Sequence, residues 1–527
     1  MNKLPKINNL PQWMTWLLFI VVLLILAWFY GYHKIILLGP QSVHFWRQTD
    51  CLSYTLNYMM ECRAFFNPSI HHIGPAGDGE VITDFPIIFY LVGNIWRITG
   101  QQEWIYRTIV FVLFVVGLSM IYNILKDYLK SLFWAIFISA LIFTSPVIAF
   151  YSGNFVMNIV SFSFALMGLS SFYWFVRSSK SKWLWLSALF YLLGGLIKMP
   201  ALMTFVVIVF IYLTEIAGII QYRKDKPLFG NKLIHGIPLL LVVIFSAMWV
   251  WFIKSYNEGN TVFFLAGIYP IWTLTWHEIK TIVDEFFEFW YKQHFHLSLH
   301  IASFMVFFWN MWNIKKLSNI ERVFIILLPI GVILFLALWF KAMPNHDYYL
   351  INTYVLFIIS WAIAISLFIR MYPVITRSKL IRIGFVVFFI FNALHCKKEI
   401  SIRYWGWWND HEYNNNYKDL ADLKPYLREA GVSREDRIIA MGDVTPNATL
   451  YMVDSKGWSN FGGTINNLDS ARIARSISKG AKYMILLDST WQSKDFVRPY
   501  TNNLLLEHRS VKVFQLDREQ FIEERID

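Results

Sequence analysis

The sequence predicts a polytopic α-helical membrane protein with about eleven spans and a small C-terminal α/β domain outside the bilayer. Composition is the first reason: 56% of the residues are hydrophobic and 16% are charged, against about 25% charged in soluble domains. Mean hydropathy is +0.44. The second reason is a series of apolar runs long enough to cross about 30 Å of hydrocarbon at about 1.5 Å per residue. The third is the tail after Cys396, where strand-like and helix-like patterns replace those runs.

The first run, from about Trp13 to Tyr30, follows Lys3 and Lys6. It is bulky throughout and lacks a small-residue cleavage site, so it is expected to be a retained span rather than a signal peptide. Further spans are predicted near Thr108–Leu125, Leu132–Ile148, Phe155–Val176, Trp183–Leu196, Leu202–Ile219 and Ile237–Ile253. The last four lie near Leu299–Trp312, Val323–Phe340, Leu350–Ile369 and Ile383–Leu394. A transmembrane module, 1–395, with a long first loop, 31–106, is thus followed by a domain, 396–527.

Charge orients the module. Alternate connections are basic: Lys126 and Lys130; Arg177, Lys180 and Lys182; Arg223, Lys224, Lys226 and Lys232; Lys315, Lys316 and Arg322; Arg370, Arg377, Lys379 and Arg382. The positive-inside rule puts these connections and the N-terminus in the cytoplasm, and an odd number of spans puts the tail outside the plasma (inner) membrane. The net charge of +12 is spent in these short clusters, which excludes nucleic acid as the expected partner. Cys51, Cys62 and Cys396 are the three cysteines. On one helix Cys51 and Cys62 would sit roughly 16 Å apart, too far to bridge.

The first loop carries the richest chemistry. His44-Phe45-Trp46-Arg47-Gln48-Thr49-Asp50 follows the first span, and a helix there would put Asp50, Tyr54, Asn57 and Glu61 on one face. Ile82-Thr83-Asp84-Phe85-Pro86 precedes an apolar stretch, Ile87 to Trp96, that is too short to span and suits the membrane interface. Two carboxylates beside an arginine there could meet the polar head of an amphiphile. The plainer alternative is that Asp50 and Asp84 pair with Arg47 or cap helices. Glu103 and Arg107, at i, i+4, are a helix pair or a substrate clamp.

Beyond this loop, Asp284 to Tyr291 alternates charged and aromatic residues as an amphipathic surface helix does. Lys341-Ala342-Met343-Pro344-Asn345-His346-Asp347-Tyr348-Tyr349 gathers ionisable groups between two spans, either as a site or as a solvated aromatic-belt turn. Lys198 interrupts an apolar stretch, where it snorkels or meets an anionic headgroup. Asn154 and Asn158 suit interhelical hydrogen bonds. In the tail, Arg437 to Asp443 and Tyr483 to Asp488 read as buried strands ending in aspartate, with a helix from about Leu468 to Ser478 between them. Those aspartates are expected to form turns.

His44, His71, His72, Asp50 and Asp84 share a loop without any fixed ligand spacing, so no metal site is assigned, though a divalent cation is compatible with the residue types. No Walker loop, dinucleotide fingerprint or nucleophile elbow is present.

The order of Trp46-Arg47-Gln48-Thr49-Asp50, Thr83-Asp84-Phe85-Pro86 and Glu103-Trp104-Ile105-Tyr106-Arg107, then Lys198-Met199-Pro200-Ala201-Leu202 and His346-Asp347-Tyr348-Tyr349, resembles the bacterial GT-C glycosyltransferases. The group in question is that of protein O-mannosyltransferases and lipid A aminoarabinose transferases. Gly442-Asp443-Val444-Thr445-Pro446-Asn447, Leu450-Tyr451 and Lys456-Gly457-Trp458 are similar to the external tail of one branch. The resemblance covers nearly the whole chain through short motifs. It implies inverting transfer of a sugar from a polyprenyl-phosphate-linked donor to a lipid, glycan or protein acceptor on the extracytoplasmic face. Asp84 matches the second acidic motif and Asp50 stands for the first, displaced by two residues so that Gln48 falls near the expected position. Phe85 replaces the lysine that usually follows the second acidic residue. Substrate contacts then fall to Arg47, Gln48, Tyr54, Glu103, Arg107, Lys198, Lys341, His346, Asp347 and Tyr348, with Arg47, Arg107, Lys198, Lys341 or His346 on the phosphate. The rival readings are a transporter or flippase of a lipid-linked saccharide, and a receptor or scaffold whose outer domain binds a partner.

Overall fold

A computed structural model of the chain describes residues 11–74, 77–258, 267–344, 346–461 and 470–517. The chain divides into two compact units: Met1–Leu37 with Arg107–Val250 and Gly267–Ser401, and Leu38–Tyr106 with Trp251–Ala266 and Ile402–Asp527. Most of the long first loop therefore groups with the tail.

The first unit is helical, and the protein is a multi-pass membrane protein. Among the described residues eight helices are long and apolar enough to cross a membrane. Each coincides with a predicted span. The other three predicted spans are the shorter apolar helices Leu132–Thr144, Ser181–Ile197 and Leu297–Trp312. Two of them stop early for a local reason. Pro146 opens a new helix, Pro146–Tyr151, capped by Ser145, whose side chain accepts from the Ile148 N–H. Lys198 adopts an extended conformation at the end of Ser181–Ile197, and Pro200 sits in the first turn of the 3-10 helix Met199–Leu202 that follows. Helices Asn158–Ser178 and Ser181–Ile197 meet closely because Gly168 faces Tyr191, and Ser187 Oγ donates to the Gly168 carbonyl at 2.8 Å. Small residues permit such approach between helices in lipid. Leu240, Val243, Phe245 and Met248 of Lys232–Tyr256 stay exposed, which suits an acyl environment and not water.

The predicted amphipathic segment, Asp284 to Tyr291, starts in the last two residues of helix Trp276–Glu285, which a capping box between Thr275 and Glu278 opens, and runs mainly through a π-helical turn, Phe286–Trp290.

The second unit holds a five-stranded sheet: β1 (Arg437–Met441), β2 (Gly457–Ser459), β3 (Ala481–Leu486), β4 (Leu504–His508) and β5 (Val511–Gln515). The order is β2-β1-β3-β5-β4. β1 pairs in parallel with β2 and β3, while β5 runs antiparallel to β3 and β4. The period of two divides β1 between two cores: Ile438 and Ala440 pack with Leu423, Leu427 and Leu450, whereas Ile439 and Met441 pack with Ile473, Ile477 and Val497. β1, β3 and helix Ser470–Ser478 lie where the sequence puts them; the start of the predicted helix, 468–469, is outside the described residues. β2, β4 and β5 are additional. β2 has three residues, too few for an alternation signal.

The first loop joins this sheet. His71 to Ile73 runs parallel to β2, with Gly457 N–H donating to the His71 carbonyl at 3.1 Å and Ile73 N–H to the Gly457 carbonyl at 3.0 Å. Gly457 is required at that crossing. A Cβ there would lie 1.8 Å from the Ile438 carbonyl oxygen. Gly457→Ala is expected to push β2 off β1 and to destabilise this unit by about 1–3 kcal/mol, seen as a lower midpoint in thermal unfolding.

Helix Phe45–Glu61 is the scaffold of the loop, and helix Ile87–Thr99 packs on it through Gly93, where a Cβ would meet the Thr55 carbonyl at 2.8 Å. That crossing brings the segment before Pro86 against the start of the first helix.

Candidate functional site

Asp50 lies in the second turn of helix Phe45–Glu61, with Arg47 one turn earlier on the same face. Arg47 Nη1 stands 3.5 Å from Asp50 Oδ2, and Arg47 Nη2 donates to Asp84 Oδ2. One guanidinium thus joins two carboxylates 34 residues apart in sequence (84 − 50), using the fork geometry that distinguishes arginine from lysine. Asp50 is 6% and Asp84 3% exposed, so this charge cluster is removed from bulk water. Burial pushes the Asp50 carboxyl above its usual range, against the opposing pull of Arg47 and Asn447. A buried carboxylate raised in this way is better matched to proton abstraction near neutral pH.

Asp84 is held by the backbone around it. Asn257 clasps Ile82 with both ends of its amide, donating to the carbonyl at 2.7 Å and accepting from the N–H at 2.9 Å. Pro86 then starts helix Ile87–Thr99. Tyr54 stacks on Phe89 with centroids 5.2 Å apart, locking the two helices beside the carboxylates. Asn447, from the loop after β1, donates to Asp50 Oδ1 at 2.7 Å. The sequence had singled out neither Asn257 nor Asn447 as a site residue.

The other predicted residues of this unit have defined tasks. The Gln48 amide donates to the Gln41 and Val43 carbonyls at 2.7 and 2.9 Å, bracing the helix entry. Glu103 accepts from the Tyr451 hydroxyl at 2.5 Å. Asn57 and Glu61, on the predicted face with Asp50, bind Arg434 at 3.1 Å and Lys456 at 2.7 Å respectively. Glu61 is held at about 2 despite partial burial, because Lys456 and Arg63 pair with it. Asp443 and Asp488 form turns, accepting from the Thr445 and Thr490 N–H groups.

A second polar cluster belongs to the first unit. Asp347 is buried and accepts from the Tyr151 hydroxyl at 2.6 Å. Tyr348 packs edge-on against Tyr151, and its carbonyl accepts from Asn158 Nδ2 at 3.2 Å. His346 stacks on Tyr349, with Nδ1 directed at the Ala342 carbonyl, 3.0 Å away. Lys341 is exposed and Asn345 lies outside the described residues. A cavity of about 270 Å3 here is lined by Phe286, Trp290, Leu336, Met343, His346 and Asp347. Arg107 is fully buried; it donates to the Gly153 carbonyl and covers the Phe155 ring at 4.2 Å. Lys198 ends helix Ser181–Ile197 and is half-buried.

Among the described residues no group of three or more His, Cys, Asp and Glu side chains converges as a metal site. Asp50 and Asp84 share the Arg47 guanidinium, which already supplies a positive charge between them. The residues present do not fit a metal there.

No family model matches the sequence, and no curated protein matches it significantly. Solved structures do match. The chain is similar to ArnT from Cupriavidus metallidurans in the apo state, with TM-score 0.60 and 11% identity over 95% of this chain and 98% of that one. Against ArnT bound to undecaprenyl phosphate the TM-score is 0.59, at 10% identity over 95% and 97%.

The chain has the GT-C fold.

The GT-C likeness extends to the oligosaccharyltransferase AglB from Archaeoglobus fulgidus, in complex with an inhibitory peptide and a dolichol-phosphate. There the TM-score is 0.52 at 12% identity, over 89% of this chain and 69% of that one. The fold predicted from motif order is therefore the fold found, with lipid A aminoarabinose transferase and oligosaccharyltransferase structures as its GT-C neighbours.

Proposed function

We propose that this GT-C protein transfers a sugar, with inversion, from a polyprenyl-phosphate-linked donor to a lipid, glycan or protein acceptor on the extracytoplasmic face of the inner membrane. The observation that carries the reading is the half-buried arginine held between two buried carboxylates in the first loop. Asp50, raised by burial, takes the acceptor hydroxyl proton as that oxygen attacks the anomeric carbon. The bond from this carbon to the lipid phosphate breaks, and the phosphate leaves as an anion. Arg47 pairs with Asp50 and Asp84 and holds both carboxylates in place. Asp84 orients the acceptor. Tyr54, Gln48 and Glu103 hold the loop in shape.

Two further points favour a lipid-linked donor. ArnT and AglB were captured with undecaprenyl phosphate and dolichol-phosphate. The cavity beside His346 and Asp347 is mostly apolar with a polar end, as an isoprenoid chain carrying a phosphate requires. The positive-inside pattern supports a cytoplasmic N-terminus and an external tail.

The test is the protein in nanodiscs, supplied with a panel of undecaprenyl-phosphate-linked hexoses, pentoses and aminosugars and with cell-envelope acceptors. Release of undecaprenyl phosphate together with an inverted glycosidic product is expected. Movement of the intact lipid-linked saccharide across sealed vesicles, with no phosphate released, would overturn the reading in favour of a flippase.

A further inference from the structure

We propose that Asn447, from the C-terminal tail, is a positioning residue that orients Asp50 for proton abstraction, so that the tail is a working part of the active loop and not an appended binding module. The proposal rests on Asp50 being the base.

The geometry leaves the Asn447 amide one orientation. Its Oδ1 accepts from the His72 N–H at 3.0 Å and from Ser53 Oγ at 3.3 Å. Only Nδ2 remains to face Asp50 Oδ1, at 2.7 Å. Ser53 sits one turn after Asp50 on the same helix, so the amide spans that helix face and ties it to the loop at His72. Asn447 is fully buried, and water does not compete for these bonds.

The segment carrying Asn447 is built rigidly. Gly442 turns the chain at φ 96°, a left-handed conformation that suits glycine. Asp443 accepts from Thr445 N–H at 2.8 Å, Thr445 Oγ1 at 2.7 Å, Thr449 N–H at 2.8 Å and Tyr417 hydroxyl at 3.0 Å. Ser459 Oγ donates to the Thr445 carbonyl at 2.6 Å. Asn447 occupies the N-cap position of helix Ala448–Val453, yet its side chain makes no cap hydrogen bond. A residue type that normally caps its own helix is instead turned wholly to the first loop.

Neighbouring charges define what the bond does. Asp50 faces Arg47, which favours its ionised form, and Asp84, which opposes it, with the neutral Tyr54 phenol on the same helix face. A hydrogen bond from Asn447 adds to the favourable side and fixes which oxygen stays open to substrate. His71 and Asp454 lie on the far side of Ser53: Ser53 Oγ is 2.7 Å from His71 Nδ1, and His71 Nε2 is 3.6 Å from Asp454. That group is wholly buried and braces the same helix.

The experiment compares full-length wild type, Asn447→Ala, Asn447→Asp, Asp50→Asn and the double variant Asp50→Asn with Asn447→Ala. Turnover of the undecaprenyl-phosphate-linked sugar panel is read against pH, and the Asp50 carboxyl is titrated by difference infrared spectroscopy, which needs no donor. Asn447→Ala is expected to lower kcat at neutral pH by about 10- to 100-fold with little change in KM. The acid limb and the infrared midpoint should both rise by about 1–2 pH units, so that activity recovers in base. Asn447→Asp keeps an acceptor for His72 N–H, preserving the loop, but sets a like charge against Asp50 and moves the limb the same way. The double variant should lose no more than Asp50→Asn alone. Equal loss at every pH, with an unmoved infrared midpoint, would reduce Asn447 to packing and overturn the proposal. Wild-type behaviour of Asn447→Ala beside an inactive Asp50→Asn would overturn it too. An active Asp50→Asn would instead remove the base itself.

Discussion

Replacing Asp50 by asparagine is expected to lower kcat by about 100- to 10,000-fold while leaving the protein folded, because the change removes a proton acceptor and little else. The two side chains are isosteric, and an amide oxygen still accepts from Asn447 Nδ2, now 2.7 Å from Asp50. Burial already pushes the Asp50 carboxyl above its usual range, so the fold does not strongly prefer the charged form there. A neutral replacement therefore costs little stability. The same shift fixes the sign of the wild-type pH profile. The acid limb of kcat/KM lies above the ordinary carboxylate range near about 4, and activity falls as pH drops through it. Initial rates of polyprenyl phosphate release from pH 4 to 9, with thermal midpoints of both proteins, check the prediction. Turnover at the wild-type rate, or a wild-type acid limb surviving in the variant, would remove Asp50 from the chemistry.

How far this was legible in the sequence depends on the range of each interaction. Hydropathy is local, so all eleven apolar runs appear as helices; length alone did not show that Pro146 and Pro200 shorten two of them. The face Asp50, Tyr54, Asn57, Glu61 follows from helical period, and the helix forms. What that face meets was beyond the pattern. Asn57 and Glu61 are taken by Arg434 and Lys456, which binds the loop to the tail and leaves Asp50 as the face's chemical group. Arg47 beside Asp50 is an i, i+3 relation and readable; its reach to Asp84 depends on two helices crossing at Gly93. Asn447 lies 397 residues from its partner and Asn257 lies 175 from Ile82, separations at which a single sequence carries no pairing signal. The only hint was the run Gly442 to Asn447, noticed for its resemblance and not for its chemistry.

The largest effect on stability is expected from Arg47→Ala. It removes the guanidinium shared by Asp50 and Asp84, leaving two buried carboxylates without that common counter-charge, a loss of about 3–5 kcal/mol. Turnover should fall below detection, since either carboxyl now favours its protonated form. The steepness of the pH dependence is diagnostic. Without the cation the folded carboxyls titrate above their unfolded value near about 4, so the folded state binds more protons than the unfolded one. The variant's stability is then greatest in acid and lost steeply as pH rises through that window, whereas in the wild type, where Asp50 is raised against the pull of Arg47, the same trend is shallower. Thermal midpoints of both proteins between pH 4 and 8 measure this directly. Arg47→Lys should lie between them, because a single ammonium keeps the charge but cannot fork to two carboxylates at fixed geometry. A variant whose midpoint did not respond to pH would mean that the carboxylates find their balance elsewhere, and that Arg47 is not what holds Asp50 ready to take a proton.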